Sequence, residues 1–415
     1  MRKADLRQSV VALALLVGCG GGDGGAGGGS QPLRPVPGCE AIDHTPCDVR
    51  DPACQTRLLA LAGCLRGEDP GSPPPIAVMS EADFAALLTS EAAMRTPPPH
   101  QATWDWALSS LKVIQPGDLG TAAMIAQSVK FIWGLYRPDT KDIIVVDHGA
   151  VFDAASASPV LVHEMIHALQ DREVDLAQFH MTFAKSDDSS LASRSMIEGE
   201  ARMHETRYRA SVLGLDPSQV DWMRRFESAV GLDEKYLLMQ PSPLTATSMA
   251  FPYEWGARYV YYQWVQGGMG GVHGLFVAPP VTTRVLMASV DMNVAPEPEP
   301  ERPILPAPPS GWTAADVGVL GAWGLLLAMT EGAPGVSASE TESLALHWRA
   351  DAIGIYEGSG ATAFVWRIDV GDPTIAATAV SRLAGLSGIT SRATGTWVVL
   401  ARASDTQALD WAFAP

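Results

Sequence analysis

The most informative segment of the sequence is PVLVHEMIHALQDR, from Pro159 to Arg172. Its apolar residues cover nearly every direction around a helix axis, and a helix that is apolar on all sides is buried. Three ionisable side chains nevertheless lie in the middle of it, at His163, Glu164 and His167. Burying such groups is costly unless they are paired or bind a metal ion. The stretch therefore predicts a buried helix that carries a functional group.

The spacing of the two histidines indicates zinc. His163 and His167 are four residues apart, so they project from one helix face and place two imidazole nitrogens on a single Zn²⁺. Glu164 lies on the flank, within reach of a water on that ion. The alternative is a buried helix with a satisfied His–Glu pair. We expect Ser158 to cap this helix and Pro159 to occupy its first position.

A zinc site that hydrolyses its substrate needs a third protein ligand. Residues 190–214, SLASRSMIEGEARMHETRYRASVLG, are predicted to form a helix that offers Glu198 and Glu200. On a helical wheel most apolar residues lie on the side of Glu198, while Glu200 lies about 160° away. We therefore predict Glu198 as the ligand and expect Glu200 to face solvent. His204, about 120° from Glu198, is expected to be a packed or surface histidine.

The order of these motifs resembles the gluzincin branch of zinc metallopeptidases. More closely, HEMIHALQDR, MIEGEA and FPYEWGARYV resemble bacterial secreted or lipoprotein HExxH proteins with the pattern HExxHALQD, EGEA and a later PYxxG. The resemblance covers roughly residues 76–290 and, in weaker form, the tail to residue 415. It implies a zincin-like fold, one Zn²⁺ on His163, His167 and Glu198, and Glu164 as catalytic base. It implies nothing about the substrate.

The residue types define the expected reaction. Zinc acidifies a bound water and polarises a carbonyl, and Glu164 takes the proton of that water and passes it to the leaving amine. Tyr253 is the candidate donor to the oxyanion, and a core or turn tyrosine beside Pro252 is the alternative. Histidine ligands usually bond a carboxylate or carbonyl through their second nitrogen, and Asp171 and Glu205 are the candidates for that role.

We therefore expect a zinc-dependent metallopeptidase that acts on a peptide or protein substrate. The strand at 142–147 is expected to be the edge strand with which an extended peptide pairs. The alternative is a non-catalytic surface lipoprotein that uses a zincin fold to bind a partner or a metal. The presence of Glu164 favours the enzyme, because a metal binder needs no carboxylate there.

The first residues indicate export. MRKADLR is followed by an apolar segment at 10–18, which ends in LVGC at Cys19 and is similar to a bacterial lipobox. We expect cleavage after residue 18 and a lipid on Cys19. The alternative is a plain cleaved signal peptide. The expected location is the outer or cell-surface membrane, facing the periplasm or the exterior.

The remaining cysteines and the charge agree with an exported protein. Cys39, Cys47, Cys54 and Cys64 are clustered and lack CxxC spacing, which favours two disulfides over a zinc knuckle. The sequence leaves three disulfide pairings of these four cysteines open. A net charge of −17 argues against a nucleic-acid partner, and the sequence leaves the oligomeric state open.

Proline-rich stretches divide the chain. We predict an α+β protein, with a mostly helical zincin-like domain that has a small sheet, and a smaller α+β C-terminal lobe. A β-hairpin is expected near 130–136 and 142–147, a turn at 267–274 and a helix at 312–332. The predicted segments are a signal peptide (1–18), a lipidated cysteine with a Gly-rich tether (19–38), a disulfide-stapled segment (39–66), the catalytic domain (74–290), a Pro-rich linker (291–310) and the C-terminal lobe (311–415).

Overall fold

Most of the chain is described by a computed structural model, which covers residues 36–94, 96–288, 297–358, 360–404 and 409–413. The predicted signal peptide, Cys19, most of the tether and residues 291–296 of the predicted linker lie outside these ranges. The described part is mixed α+β, as predicted. Its helices are α1 (Pro52–Arg66), α2 (Glu81–Ala93), α3 (Gln101–Ser110), α4 (Thr121–Phe131), α5 (Ala154–Val174), α6 (Leu176–Phe183), α7 (Asp187–Val212), α8 (Trp222–Leu238), α9 (Pro243–Val277), α10 (Thr283–Met287), α11 (Gly321–Gly332), α12 (Ala338–Ala345) and α13 (Pro373–Leu383). Its strands are β1 (Ile76–Ser80), β2 (Gly134–Arg137), β3 (Asp142–Asp147), β4 (Trp312–Gly318), β5 (Ala350–Gly358), β6 (Ala361–Asp369), β7 (Thr390–Thr394) and β8 (Trp397–Ala403).

A three-stranded sheet packs against the HExxH helix α5. β1 pairs parallel with β3 and β2 pairs antiparallel with β3, which gives the order β1-β3-β2. The predicted hairpin is confirmed, although its first strand begins only at Gly134. The prediction that residues 142–147 form the edge strand is wrong, because β3 is central. Its four consecutive buried apolar residues, 143–146, suit a strand that is covered on both faces.

The HExxH helix begins earlier than predicted. Asp153 accepts a hydrogen bond from the backbone of Ser156 and donates its own backbone N–H to the Ser156 hydroxyl, which forms a capping box. Pro159 therefore lies inside α5 and not at its first position. Ser158 is not the cap, and its hydroxyl exchanges hydrogen bonds with the backbone of Cys47.

The N-terminal cysteines form two disulfides, as predicted. The pairs are nested, with Cys39 bonded to Cys64 and Cys47 bonded to Cys54. They hold α1, whose buried leucines pack against α5 within the main hydrophobic core. Disulfides fit an oxidising compartment outside the cytoplasm. Within the described ranges, no helix is both long and apolar enough to cross a membrane.

Helices α7 and α9 cross at two glycines. A Cβ on Gly199 would lie 2.3 Å from the carbonyl carbon of Gly256, and a Cβ on Gly256 would lie 2.1 Å from the carbonyl oxygen of Ser195. Only glycine permits such a close approach of two backbones. The glycines of EGEA and PYEWG therefore set the distance between these helices. The predicted turn at 267–274 is a continuation of α9, which is interrupted at Gly268 (φ 60°, ψ −153°).

The C-terminal residues form a five-stranded antiparallel sheet in the order β4-β5-β6-β8-β7. The prediction of one helix over 312–332 is wrong, because β4 comes first and α11 begins at Gly321, which has φ 73°. From α11, Trp323 packs against Phe251 and Trp255 of α9, at ring-centroid distances of 4.9 and 5.2 Å. Its indole donates a hydrogen bond to Thr247 at 2.7 Å. The C-terminal residues thus share a buried aromatic cluster with α9.

Candidate metal centre

His163 and His167 of α5 meet Glu198 of α7 in the interior. The Nε2 atoms of both histidines lie 3.3 Å from Oε2 of Glu198. One possible ligand atom from each residue lies within 4.8 Å of the other two. The three side chains are at most 2% exposed. The structure thus brings together the three residues that the sequence predicted as metal ligands.

The distances fit a tetrahedral metal ion. Nitrogen and oxygen ligands at about 2.0–2.1 Å from zinc stand about 3.3–3.4 Å from one another in a tetrahedron. The observed separation from each Nε2 to the Glu198 oxygen is 3.3 Å. The other oxygen, Glu198 Oε1, is buried and has no hydrogen-bond partner among the described residues. A cation at this point would compensate the buried carboxylate.

Burial on its own would raise the pKa of Glu198. The charges and hydrogen bonds of His167 and His163 outweigh that effect and lower the pKa of Glu198 to about 2. The carboxylate is therefore ionised, as a metal ligand must be.

Glu205, a candidate from the sequence for this position, lies at the second nitrogen of His163. Its Oε2 lies 3.3 Å from His163 Nδ1. Arg209 contacts its other oxygen at 2.7 Å, and Arg202 lies 3.3 Å away. Burial would raise the pKa of Glu205, but Arg202, Arg209 and His163 hold it well below its ordinary value. An ionised acceptor at Nδ1 favours the tautomer that leaves Nε2 free for a metal.

Gln170 holds the second nitrogen of His167. Its Oε1 lies 2.8 Å from His167 Nδ1. Its Nε2 donates to Ile197 O at 3.0 Å and to Glu200 Oε2 at 2.8 Å, so the orientation of the amide is fixed. The residues predicted for this position were carboxylates, and the amide was not predicted. The available signal was its place three residues after His167, on the same helix face.

Asp171, predicted as a partner of His167, lies elsewhere. Its Oδ2 accepts hydrogen bonds from the Tyr136 hydroxyl and the Lys141 ammonium, both at 2.6 Å. Its Oδ1 accepts the backbone N–H of Leu176 at 2.9 Å. Asp171 therefore ties α5 to the β2–β3 hairpin and to α6, and the partner of His167 is Gln170.

Glu200 does not face solvent, contrary to the prediction. Its side chain is fully buried, and its Oε1 accepts a hydrogen bond from Arg66 Nε at 2.8 Å. The wheel correctly placed Glu200 away from Glu198. It could not show that α1, from a distant part of the sequence, covers that side of α7.

Glu164 lies between the metal ligands and the edge strand β2. Its Oε2 accepts the backbone N–H of Tyr136 at 2.7 Å, and its buried Oε1 lacks a hydrogen-bond partner in the described part of the chain. A Cβ on Gly134 would lie 2.6 Å from this Oε1, so the strand approaches only because residue 134 is glycine. Burial raises the pKa of Glu164 and Glu198 adds to the effect, while the two histidines oppose it. A raised pKa suits a general base.

Tyr253 lies beside the candidate metal centre, whereas His204 lies outside it. The ring of Tyr253 stacks on the imidazole of His163, with centroids 5.8 Å apart and planes 29° apart. His204 is buried outside the ligand group, 3.9 Å from Glu200. Burial, followed by the charges of Arg207 and Arg66, lowers the pKa of His204 well below its ordinary value. His204 is thus a neutral packed histidine.

A second group of possible metal ligands lies nearer the surface. It consists of Glu68, Glu173 and His273. Arg66 already contacts both carboxylates, at 2.8 Å for Glu68 and 2.7 Å for Glu173. Because this guanidinium supplies a positive charge to the group, we assign no metal to it.

Comparisons of the chain with protein-family models, with curated proteins and with solved structures found no match. The class of the protein therefore has to be argued from the site. That site is a buried donor set of two histidines and one glutamate, with a further carboxylate beside it.

Proposed function

We propose that the chain is a zinc-dependent metallopeptidase with a zincin-like, gluzincin-type site. The observation that carries the proposal is the convergence of three side chains: His163 and His167 Nε2 each lie 3.3 Å from Glu198 Oε2. Glu164 lies beside them on the same helix as the histidines. The motif resemblance supports the same class.

The residues present fit the expected chemistry. When bound by His163, His167 and Glu198, zinc would polarise a substrate carbonyl and acidify a water molecule. Glu164 would take the proton at Oε1, the oxygen without a partner among the described residues, while Oε2 stays anchored to Tyr136 N. Because its pKa is raised, Glu164 holds the proton more firmly than an ordinary glutamate and then gives it to the leaving amine nitrogen.

The substrate strand would pair with β2. The N–H of Tyr136 points to Glu164 and away from β3, so the outer edge of β2 faces the site. An extended peptide added to this edge would run past the catalytic carboxylate. Tyr253, stacked on His163, remains the candidate donor to the carbonyl oxygen. We further propose that the protein is exported and lipid-anchored through Cys19.

One observation favours a second function, a lipoprotein in which the metal is structural. The three ligands are at most 2% exposed and Glu164 is 1% exposed, and structural zinc sites are closed. A structural site gives no reason for a buried carboxylate oxygen at Glu164 that has no hydrogen-bond partner among the described residues. We therefore place the peptidase first.

The test is cleavage of a quenched-peptide library and of a denatured protein by the purified full chain. Wild type and a Glu340→Gln control, which removes an exposed carboxylate distant in sequence from the motifs, should cleave. A chelator should stop cleavage and added zinc should restore it. Glu164→Gln should retain zinc and lose activity. Equal zinc in wild type and Glu164→Gln, with no cleavage by either, would favour the structural metal.

A further inference from the structure

A line of buried hydrogen bonds connects α1 with the metal centre. Arg66 Nε donates to Glu200 Oε1 at 2.8 Å. Gln170 Nε2 donates to Glu200 Oε2 at 2.8 Å, and Gln170 Oε1 lies 2.8 Å from His167 Nδ1. The side chains of Arg66 and Glu200 are fully buried, as is Gln170. The line therefore runs from the disulfide-bonded segment to a metal ligand without contact with solvent.

Acceptor oxygens of Glu200 and Ile197 fix which atom Gln170 presents to His167. A carboxylate only accepts hydrogen bonds, so it binds the NH₂ group of Gln170 and turns Oε1 towards the imidazole. An oxygen at His167 Nδ1 requires a proton there, which leaves Nε2 free for a metal. Ile197 O binds the same NH₂ group at 3.0 Å and supports this orientation.

Arg66 holds the carboxylate of Glu200 in place in the interior. A buried carboxylate needs hydrogen-bond donors, and Arg66 supplies one to each oxygen of Glu200. Arg66 places its Nε 2.8 Å from one oxygen and its Nη2 3.4 Å from the other.

We propose that Arg66, acting through Glu200 and Gln170, is a positioning residue that holds His167 in its metal-binding tautomer. This inference rests on the proposed zinc site. It assigns the segment closed by the Cys39–Cys64 disulfide a role in the metal centre, since Arg66 lies two residues after Cys64.

The structure supplies a matched control. Arg66 also binds Glu173 at 2.7 Å, but the side chain of Glu173 is 27% exposed, whereas that of Glu200 is fully buried. Glu173→Gln removes a charge from the same guanidinium and leaves the line to His167 intact. Glu200→Gln removes a charge and breaks that line.

The experiment measures zinc affinity of the full chain by competition with a chromogenic chelator. Loss of an outer hydrogen-bond partner typically weakens metal binding by about 10- to 100-fold, and we expect this for Glu200→Gln and Arg66→Gln. Glu173→Gln should stay within about twofold of wild type. Circular dichroism in chelator checks that each variant folds, and Glu200→Gln compared with Glu173→Gln decides the inference if Arg66→Gln does not fold.

A double-mutant cycle separates positioning from general stability. If Glu200 acts through Gln170, Glu200→Gln should add little to the loss of zinc affinity in a Gln170→Ala background. Independent, additive losses, or unchanged affinity in Glu200→Gln, would overturn the inference while zinc binding by wild type stands. Failure of wild type to bind zinc would overturn the proposed function as well.

Discussion

Replacing Gly199 by alanine tests the helix crossing that places Glu198. The new Cβ would lie 2.3 Å from the carbonyl carbon of Gly256 and 2.7 Å from its Cα. Nonbonded carbons prefer about 3.5–4.0 Å, so α7 and α9 would have to separate by about 1 Å. Overpacking typically costs about 1–3 kcal/mol, and the upper end applies here because a backbone has no rotamer to change.

The greater helix propensity of alanine offsets about 1 kcal/mol of this cost. We therefore expect Gly199→Ala to lower the free energy of unfolding by about 2 kcal/mol. Zinc affinity should fall too, because the neighbouring residue, Glu198, moves with α7. The assay is urea unfolding of the full chain, followed by circular dichroism, with zinc and with chelator.

Gly231 is the matched control. It lies within α8, and a Cβ there would meet no heavy atom within 4 Å. Gly231→Ala should therefore raise the free energy of unfolding by up to about 1 kcal/mol. A Gly199→Ala protein as stable as the Gly231→Ala protein, with unchanged zinc affinity, would refute the role of the crossing.

Three further predictions concern the edge strand, the disulfide and a buried histidine. Gly134→Ala should displace Glu164 and reduce kcat strongly while zinc content stays at the wild-type level, and unchanged kcat would contradict the placement of β2. Replacing Cys39 and Cys64 by serine opens a loop with a sequence separation of 25. The free energy of unfolding, measured in urea, should fall by about 3–4 kcal/mol, and zinc binding should weaken. A loss of stability with unchanged zinc binding would count against the link to Arg66. His204 is neutral in the fold because burial lowers its pKa. In the unfolded chain it takes up a proton below its ordinary pKa of 6.5, so below that pH the free energy of unfolding falls by about 1.4 kcal/mol per pH unit. His204→Phe should flatten the decline in stability between pH 6.5 and 5.5, and an unchanged slope would show that other groups cause it.

The convergence of the candidate metal ligands was predictable because local geometry determines most of it. His163, Glu164 and His167 lie within two turns of one helix, and their spacing fixes their directions before any tertiary contact forms. Glu198 was predicted because it lies on the apolar side of a second helix. Glu205, seven residues further along that helix, lies on the same face and was found for the same reason.

Contacts between distant parts of the chain were not predictable. Glu200 was assigned to solvent because nothing in residues 190–214 shows that Arg66 covers it. The central position of β3 depends on parallel pairing with β1, across more than sixty residues. The cap at Asp153 was missed because Pro159 offered a plausible helix start, and Pro159 is tolerated inside α5 at the loss of one backbone donor.

Anomalous diffraction at the zinc edge, from crystals of the zinc-loaded full chain, tests the proposed metal site most directly. One strong peak is expected about 2.0–2.2 Å from Nε2 of His163, Nε2 of His167 and a carboxylate oxygen of Glu198. No peak at these residues, or a peak only at the group of Glu68, Glu173 and His273, would contradict it.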